Sequence, residues 1–415
     1  MSARRQGRLS DAQTLDALRL IRSENVGPRT FRALVARYGT VTQAIAALPE
    51  LARRGGARRS IRVATREEAE REMEAMARTG MRFVAWSGPE YPPALAAIDA
   101  APPLISVRGN LEVLQSPMVA IVGSRNASAA GLTFTERLAR GLGQAGLAIA
   151  SGLARGIDAR AHRATIETGT VAVLPGGQDQ VYPPDHASLL DHIIERGAAV
   201  SEMPMGWVPR GQDFPRRNRI VAGLALATVV VEAARRSGSL ITARYANEQG
   251  REVFAVPGSP LDPRAEGAND LLKQGASLCT RPEDVIDALQ PLLADGWRKT
   301  EPPRREAPDA PRSWREGDLF SEGGDGEAAD LAANLTADAG RYDYDGSAAL
   351  RPPADLGVSE RLAGLLGPSA IGIDEMARAL DAPIREVHQA VLELELAGRL
   401  ARHGGNRISL RSEYL

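Results

Sequence analysis

The sequence predicts an α/β protein: a Rossmann-like parallel-sheet domain, flanked by an N-terminal helical domain and a C-terminal winged helix. Between Pro117 and about Cys279, the short apolar runs PMVAIVG, GLAIASG, TVAVLPGG, GAAVSEM, ATVVVEA and REVFAVPG follow one another. Helical segments such as TFTERLARGLGQAG, IDARAHRATIETG and ITARYANEQG lie between them. Strands apolar on both faces and alternating with helices belong to a parallel sheet covered on both sides. Before this region the apolar spacing is helical; after it, three helical segments run into a hairpin pattern.

The N-terminal part, 1–90, shows apolar residues three apart at Leu15, Leu18 and Ile21. Within ENVGPRTFRALVARYGT, Gly27 permits a tight turn and Pro28 suits the first position of the helix that follows. This fits a SAM or helix-hairpin-helix type of domain, whose turn offers backbone N–H groups to a DNA phosphate. A plain connection inside a small bundle fits equally. REEAEREMEAMARTG continues the helical pattern and leads to a strand at MRFVAWSG. The Rossmann-like domain is expected over 91–294. From 295 to 355 no periodicity survives, and TEPPRREAPDAPRSWREGDLFSEGGDGEAAD reads as a linker rich in Pro, Gly and charge. The winged helix is expected over 356–415, from SERLAGLLG, SAIGIDEMARAL, IREVHQAVLELELAGRL and the hairpin ARHGGNRISL.

A chain of 415 residues with 43% hydrophobic and 25% charged residues has the balance of a soluble, multidomain globular protein. No apolar run approaches the roughly 20 residues that cross a bilayer, and no secretory signal is expected at MSARRQGRLSD. Cys279 is the only cysteine, which excludes intramolecular disulfides and makes a reducing cytoplasm the expected home. A formal net charge of -1 argues against general coating by nucleic acid but permits one local basic groove. Cations are almost all Arg, with lysine only at Lys273 and Lys299, so an Arg counts only where its surroundings give it a role.

Ligands of open parallel sheets bind beyond the carboxyl ends of the strands. There the chain places Gly123-Ser124-Arg125-Asn126, then SGLARGID with Gly152 and Gly156 around Arg155, then Pro175-Gly176-Gly177. Helix starts and glycines favour an anion, and Arg125 adds a planar cation. VGSRNASAAG lacks the G-x-G-x-x-G fingerprint, and no G-x-x-x-x-G-K-[ST] occurs, so a nucleotide cofactor is not expected. None of the five histidines belongs to a metal or nucleophile motif. His162 reads as structural, and Glu202, Glu232 and Asp158 as residues that cap a helix or pin a loop rather than as acid–base groups.

At the same rim lies VPRGQDFPRRNRIVAGLAL, ahead of a helix expected to begin near Asn218. Arg210, Phe214, Arg216, Arg217 and Arg219 combine one aromatic with several cations. A solvated loop with Phe214 packed inward is the structural alternative. An unpaired strand exposes both base faces and phosphates, so single-stranded nucleic acid fits this combination better than duplex.

The ordered motifs IVGSR, SGLARGIDARAH, VLPGGQDQVYPP, SEMPMG, FPRRNRIVAGLA, VVVEAARRSGSLITARYANEQGREVFAVPG and EGANDLLKQGA closely resemble the bacterial DNA-processing protein A (Smf) family. The resemblance runs from about Tyr91 to about Leu289. It implies a non-catalytic mediator that binds and protects incoming single-stranded DNA in natural transformation and helps load a RecA-type recombinase. A homodimer formed through the Rossmann-like domain is also implied. Carried over by motif, Gly123, Ser124 and Arg125 match the family's G-S-R loop. Phe214, Arg217, Asn218 and Arg219 match its F-P-x-R-N-R segment, and Ser237 and Gly238 its S-G-S loop. Where the family often has a lysine shortly before that Phe, Arg210 is the nearest cation here.

Two other readings compete. VLPGG is shared with Rossmann-like phosphoribohydrolases, whose P-G-G-x-G-T-x-x-E is replaced here by PGGQDQVYPP. The terminal domain could instead read duplex DNA through IREVHQAVLELELAGRL. That segment carries Glu386, Glu393 and Glu395 against Arg385 and Arg399, which favours a protein-contacting or autoinhibitory role.

Overall fold

The computed structural model describes residues 8–57, 59–294, 357–366, 370–403 and 406–411. They fall into two compact units, Met1–Leu15 with Ala69–Glu306 and Asp16–Glu68 with Ala307–Leu415. The linker expected over 295–355 lies outside the described residues, as does the Gly404-Gly405 turn of the hairpin. No helix among the described residues is long and apolar enough to cross a membrane.

The chain begins with α1 (Asp11–Arg22), α2 (Pro28–Tyr38), α3 (Val41–Arg54) and α4 (Arg66–Arg78). Pro28 occupies the first turn of α2, where its missing N–H costs nothing, and the Thr40 side chain caps α3 by accepting from Gln43 N. Next come β1 (Arg82–Ala85), α5 (Pro93–Ala96), β2 (Leu104–Gly109), β3 (Met118–Gly123), α6 (Ala129–Gln144), β4 (Ala148–Ser151) and α7 (Ile157–Ala164). They are followed by β5 (Thr170–Val173), α8 (Ala187–Arg196), β6 (Ala198–Ser201), α9 (Asp213–Leu224), β7 (Ala227–Val231), α10 (Gly238–Glu248) and β8 (Glu252–Ala255). The Rossmann-like domain closes with α11 (Glu266–Lys273), β9 (Ser277–Leu278) and α12 (Pro282–Ala294).

All six expected strands form. They make one sheet of nine strands, ordered β1-β2-β6-β5-β4-β3-β7-β8-β9. From β6 to β9 every pairing is parallel, and β3 to β7 are buried along most of their length. Helices cover both faces, which is why these strands read as continuous apolar runs. The sheet is not parallel throughout: β2 runs antiparallel to β6, and β1 antiparallel to β2. β2, LISVRG, was not anticipated, and it draws the strand at MRFVAWSG into the main sheet. The chain crosses from one side of the sheet to the other at β3, which lies between β4 and β7. That reversal opens a crevice above the strand ends.

One boundary also differs from expectation: α9 starts at Asp213, not near Asn218. Pro215 looks like a helix breaker in sequence. Within the first helical turn it removes only an N–H that has no partner there. Phe214 and the arginines after it therefore sit on a rigid helix rather than a loop.

The winged helix consists of α13 (Val358–Leu365), β10 (Ile371–Gly372), α14 (Ile373–Leu380), α15 (Ile384–Leu396), β11 (Leu400–His403) and β12 (Arg407–Leu410), with sheet order β10-β12-β11. Leu362, Ile373, Met376, Leu380, Val387, Val391 and Ile408 form its core. The C-terminal half of α15, the helix that would enter a major groove, is engaged elsewhere, while Arg385, Glu386 and His388 in its first turns are exposed. Leu392 and Leu396 join Leu20, Leu34, Leu48 and Leu51 in one buried cluster. Asn25 Nδ2 donates to the Leu396 carbonyl at 3.1 Å, and Arg399 Nη1 to the Gly55 carbonyl at 3.3 Å. Of the acids of α15, Glu393 is buried with Gln389 and Ser359 as donors, and Glu395 pairs with Arg402 at 3.1 Å. Hence the N-terminal turn beside Gly27 is braced by protein at Asn25.

Gly55 is the closest point of this docking, because a Cβ there would collide with the Glu393 carbonyl. Gly55→Ala is expected to destabilise this unit by about 1–3 kcal/mol, as overpacking does. Denaturant unfolding would show an earlier transition for the helical and winged-helix unit, with that of the Rossmann-like domain unchanged.

Candidate nucleic-acid interface

Three strand ends and two helix starts build the rim: the loops after β3, β4 and β5 and the first turns of α9 and α10. Their backbone donors are largely spoken for. The Ser128 side chain accepts from Gly131 N at 2.9 Å and caps α6. Glu232, at the end of β7, accepts from Ser128 N at 2.9 Å and from the Ser128 hydroxyl. A Cβ on Gly131 would lie 2.6 Å from the Glu232 carboxyl carbon. Glu232 is held at φ 52, a left-handed conformation costing of order ~1 kcal/mol, which such anchoring can hold in place. The protein's own carboxylate thus occupies the anion position that the sequence reserved for a ligand at α6.

The second loop behaves alike. Asp158 accepts from Gly152 N at 3.1 Å and Ala154 N at 3.3 Å. Burial pushes its carboxyl pKa upward, opposed by Arg217 and these amides. Gly123 also differs from expectation. The close approach it allows is to the Val231 carbonyl of the neighbouring strand rather than to an anion.

The cations divide sharply. Arg217 is buried and donates to the Gly152 carbonyl and, at 2.7 Å, to the Val173 carbonyl. Burial lowers its pKa to about 10, with Asp158 opposing and Arg125 adding repulsion. Arg219 is buried too, donating to the Ala100 carbonyl at 2.6 Å and to Glu202. Arg216 Nε donates to the other Glu202 oxygen at 2.9 Å. Burial raises the Glu202 pKa, but the two arginines outweigh it and hold the carboxyl below its ordinary value. Arg217, Arg219 and Gly152, expected to line the interface, are therefore its foundation; only half-exposed Arg216 reaches solvent from this group.

What faces outward is Arg125, Arg155, Arg210, Phe214, Asn218, Ser237 and Gly238. Arg125 is exposed, forms no ion pair among the described residues, and lies 5.6 Å over the Phe214 ring. Tyr182 meets Phe214 edge-on, with centroids 5.1 Å apart and planes at 71°. Phe214 is half-buried, not packed inward. Asn218 Nδ2 donates to the Gly238 carbonyl at 3.2 Å, joining α9 to the loop that opens α10. The Ser124 hydroxyl accepts from Asn126 N at 3.2 Å and shapes its own turn. Arg155 pairs with exposed Asp185 at 2.6 Å, which partly offsets its charge.

His162, Glu202, Glu232 and Asp158, read from the sequence as structural rather than acid–base groups, are all engaged in internal bonds. Buried His162 bonds Thr170 through Nδ1 at 2.7 Å, and the Thr170 hydroxyl donates to the Ile149 carbonyl. The hydroxyl must then accept from the imidazole, which fixes the Nδ1–H tautomer. Burial, helped by the Arg217 charge, lowers the His162 pKa to about 3. Gln178, in the position after Pro-Gly-Gly, donates to the Ser106 and Ala199 carbonyls and serves the sheet.

Comparison with known proteins agrees with this architecture. Residues 82–290 match the family model for DNA recombination-mediator protein A, 11–75 that for a DprA-like N-terminal HHH domain, and 347–406 that for the DprA winged helix domain. The chain belongs to the DNA recombination-mediator protein A family. Protein Smf of Escherichia coli (strain K12) is 39% identical over 324 residues, covering 77% of this chain and 75% of that protein. DNA processing protein DprA of Streptococcus pneumoniae is 45% identical over 198 residues, 47% of this chain and 70% of that one. The X-ray structure of DNA processing protein A from Streptococcus pneumoniae superposes with a TM-score of 0.56 at 33% identity, covering 68% of this chain and 98% of that chain. Membership does not favour the phosphoribohydrolase reading.

Two aromatic side chains of this family member were not anticipated. Tyr182 is 44% exposed beside Phe214, and Trp207 lies under the Arg210 guanidinium. The only sequence signal for either was an aromatic in a glycine- or proline-rich loop at a strand end, which is too common to single them out.

His162 generates a pH prediction. Its pKa falls from 6.5 unfolded to about 3 folded, so unfolding takes up a proton below pH 6.5. Stability is fully present above pH 6.5 and is lost as pH falls toward 3, by about 2 kcal/mol between pH 7 and pH 5. Asp158, shifted upward, acts in the opposite sense, but equally in parent and variant. His162→Gln is expected to flatten the loss, read from urea midpoints at the two pH values.

Proposed function

We propose that the ledge formed by Arg125 and Phe214 grips single-stranded DNA. On this reading the chain is a recombination mediator that protects incoming single strands in natural transformation and helps load a RecA-type recombinase. It acts without catalysing a covalent step, as a homodimer in the cytoplasm. The observation that carries the reading is the 5.6 Å placement of an exposed guanidinium, without an ion pair among the described residues, over a half-buried ring at the switch point of the sheet.

The chemistry supports an unpaired strand. A phosphate finds the side-chain cations Arg125, Arg155 and Arg210, while the backbone slot at α6 is filled by Glu232. A compact nucleotide cofactor depends on that slot; an extended strand does not. Stacking on Phe214 needs an exposed base face, which a duplex hides. The absence of catalysis is supported by the engagement of Glu202, Glu232, Asp158 and His162 in internal bonds. The recombinase, the homodimer and the role in transformation rest on family membership. A duplex-reading role for the winged helix is disfavoured by the acidity of α15, whose Glu386 lies exposed in the first turn where a groove would meet it.

Gel shifts with oligo-dT at two salt concentrations test this reading. Phe214→Ala is expected to weaken binding by about 1–3 kcal/mol, roughly 5- to 140-fold, the worth of one stacked base. Arg125→Ala should weaken it and reduce the steepness of the log–log salt dependence by roughly 0.7, the contribution of one neutralised phosphate. Parent-like affinity in both variants, with both still folded, would sink the site.

A further inference from the structure

A second aromatic–cation pair occupies the same rim. The segment Trp207-Val208-Pro209-Arg210 crosses the glycine loop that follows β5. Gly177 N donates to the Trp207 carbonyl at 3.0 Å, and a Cβ on Gly176 would lie 2.7 Å from that carbonyl and 2.9 Å from Pro209 Cδ. Gly176 is thus required by the passage of this segment over it, and Gly177 by the Pro204 carbonyl just before it. The Trp207 indole N–H donates to Asp213 Oδ2 at 2.9 Å, and Arg210 N donates to the same oxygen at 2.8 Å. Asp213 is buried and opens α9, and the next residue is Phe214. One carboxylate, next in sequence to the first stacking ring, therefore orients the indole.

The ring is not there for the core. Among the described residues Trp207 takes part in none of the hydrophobic clusters, whereas Trp86 packs against the main one. Trp207 is half-buried, and its neighbour Val208 is 64% exposed. The Arg210 guanidinium lies 5.1 Å over the indole. Planar guanidinium stacks on an aromatic face in a way that a lysine ammonium does not, so arginine at this position fixes ring and cation as a unit.

We propose that Trp207 and Arg210 form a second nucleotide-stacking position. A strand crossing the Arg125–Phe214 pair then lays a further base on the indole and a further phosphate against Arg210. This inference rests on the single-strand reading above and extends it from one base to at least two. It also gives the departure from the family's lysine a physical use, because the cation now serves both as phosphate contact and as half of a stacking platform.

Oligo-dT titration followed by tryptophan emission, alongside gel shifts, tests it. Parent emission is expected to be quenched as DNA binds, since a base stacks on the indole. Trp207→Phe should keep affinity within about 3-fold, because phenyl also stacks, and lose most of the DNA-dependent quench. Trp207→Ala should weaken binding roughly 5- to 140-fold. Phe214→Ala is the reference arm. If it binds like the parent, the underlying reading falls and this proposal with it. If Phe214→Ala is weakened but Trp207→Ala is not, only the second position is overturned. A parent quench unchanged in Trp207→Phe also overturns it, even where Trp207→Ala weakens binding through loss of the Asp213 anchor.

Discussion

The buried guanidinium of Arg217 is the interaction on which the rim depends. It carries charge into the sheet at the ends of β4 and β5, where an unpaired ion would cost several kcal/mol. The Gly152 and Val173 carbonyls accept from it, and the Asp158 carboxyl opposes its loss of charge. Gly152 must be glycine, because a Cβ would occupy the space of this guanidinium. Arg217 thereby bolts the first turn of α9 onto two strand ends. Phe214 lies three residues earlier, on the same side of that helix, and projects over the rim without being free to move away.

Around that bolt, the rim differs in chemistry from the usual rim of a doubly wound sheet. Doubly wound sheets commonly hold anions through the amides of glycine loops and helix starts. Here Glu232 and Asp158 claim those amides across 104 and 6 residues of sequence. What remains outward is a set of arginines and aromatic rings. Side chains of this kind follow a chain molecule along its length, where a nest of amides selects one compact phosphate group.

In the second unit the same principle acts on a DNA-reading fold. The helix that a winged helix normally presents to a groove has Leu392 and Leu396 buried with α3 and Glu393 and Glu395 engaged internally, while Glu386 in its first turn is exposed. A fold usually associated with duplex recognition is thus spent, on this face, on a protein contact. The sparse positive charge of α15 is consistent with that use, since a groove-facing helix needs cations it does not have.

Local pattern determined much of this protein from sequence alone. Six strands, the alternating helices, the winged-helix order and the glycine loops were all legible, because period, apolar run length, Gly and Pro act over a few residues. So was the placing of Phe214 and Arg125 at one rim, although their ring–cation contact was not. Only tertiary structure decided which arginines face water. Arg217 and Arg219 look identical to Arg210 and Arg125 in a string, yet their burial depends on the Gly152, Val173 and Ala100 carbonyls and on Glu202, far away in the chain. The antiparallel edge of β1 and β2, the occupation of the α6 slot by Glu232 and the Asn25–Leu396 bond are likewise long-range pairings. A charged or amide group takes its role from the partner that folding brings to it, and no local window contains that partner.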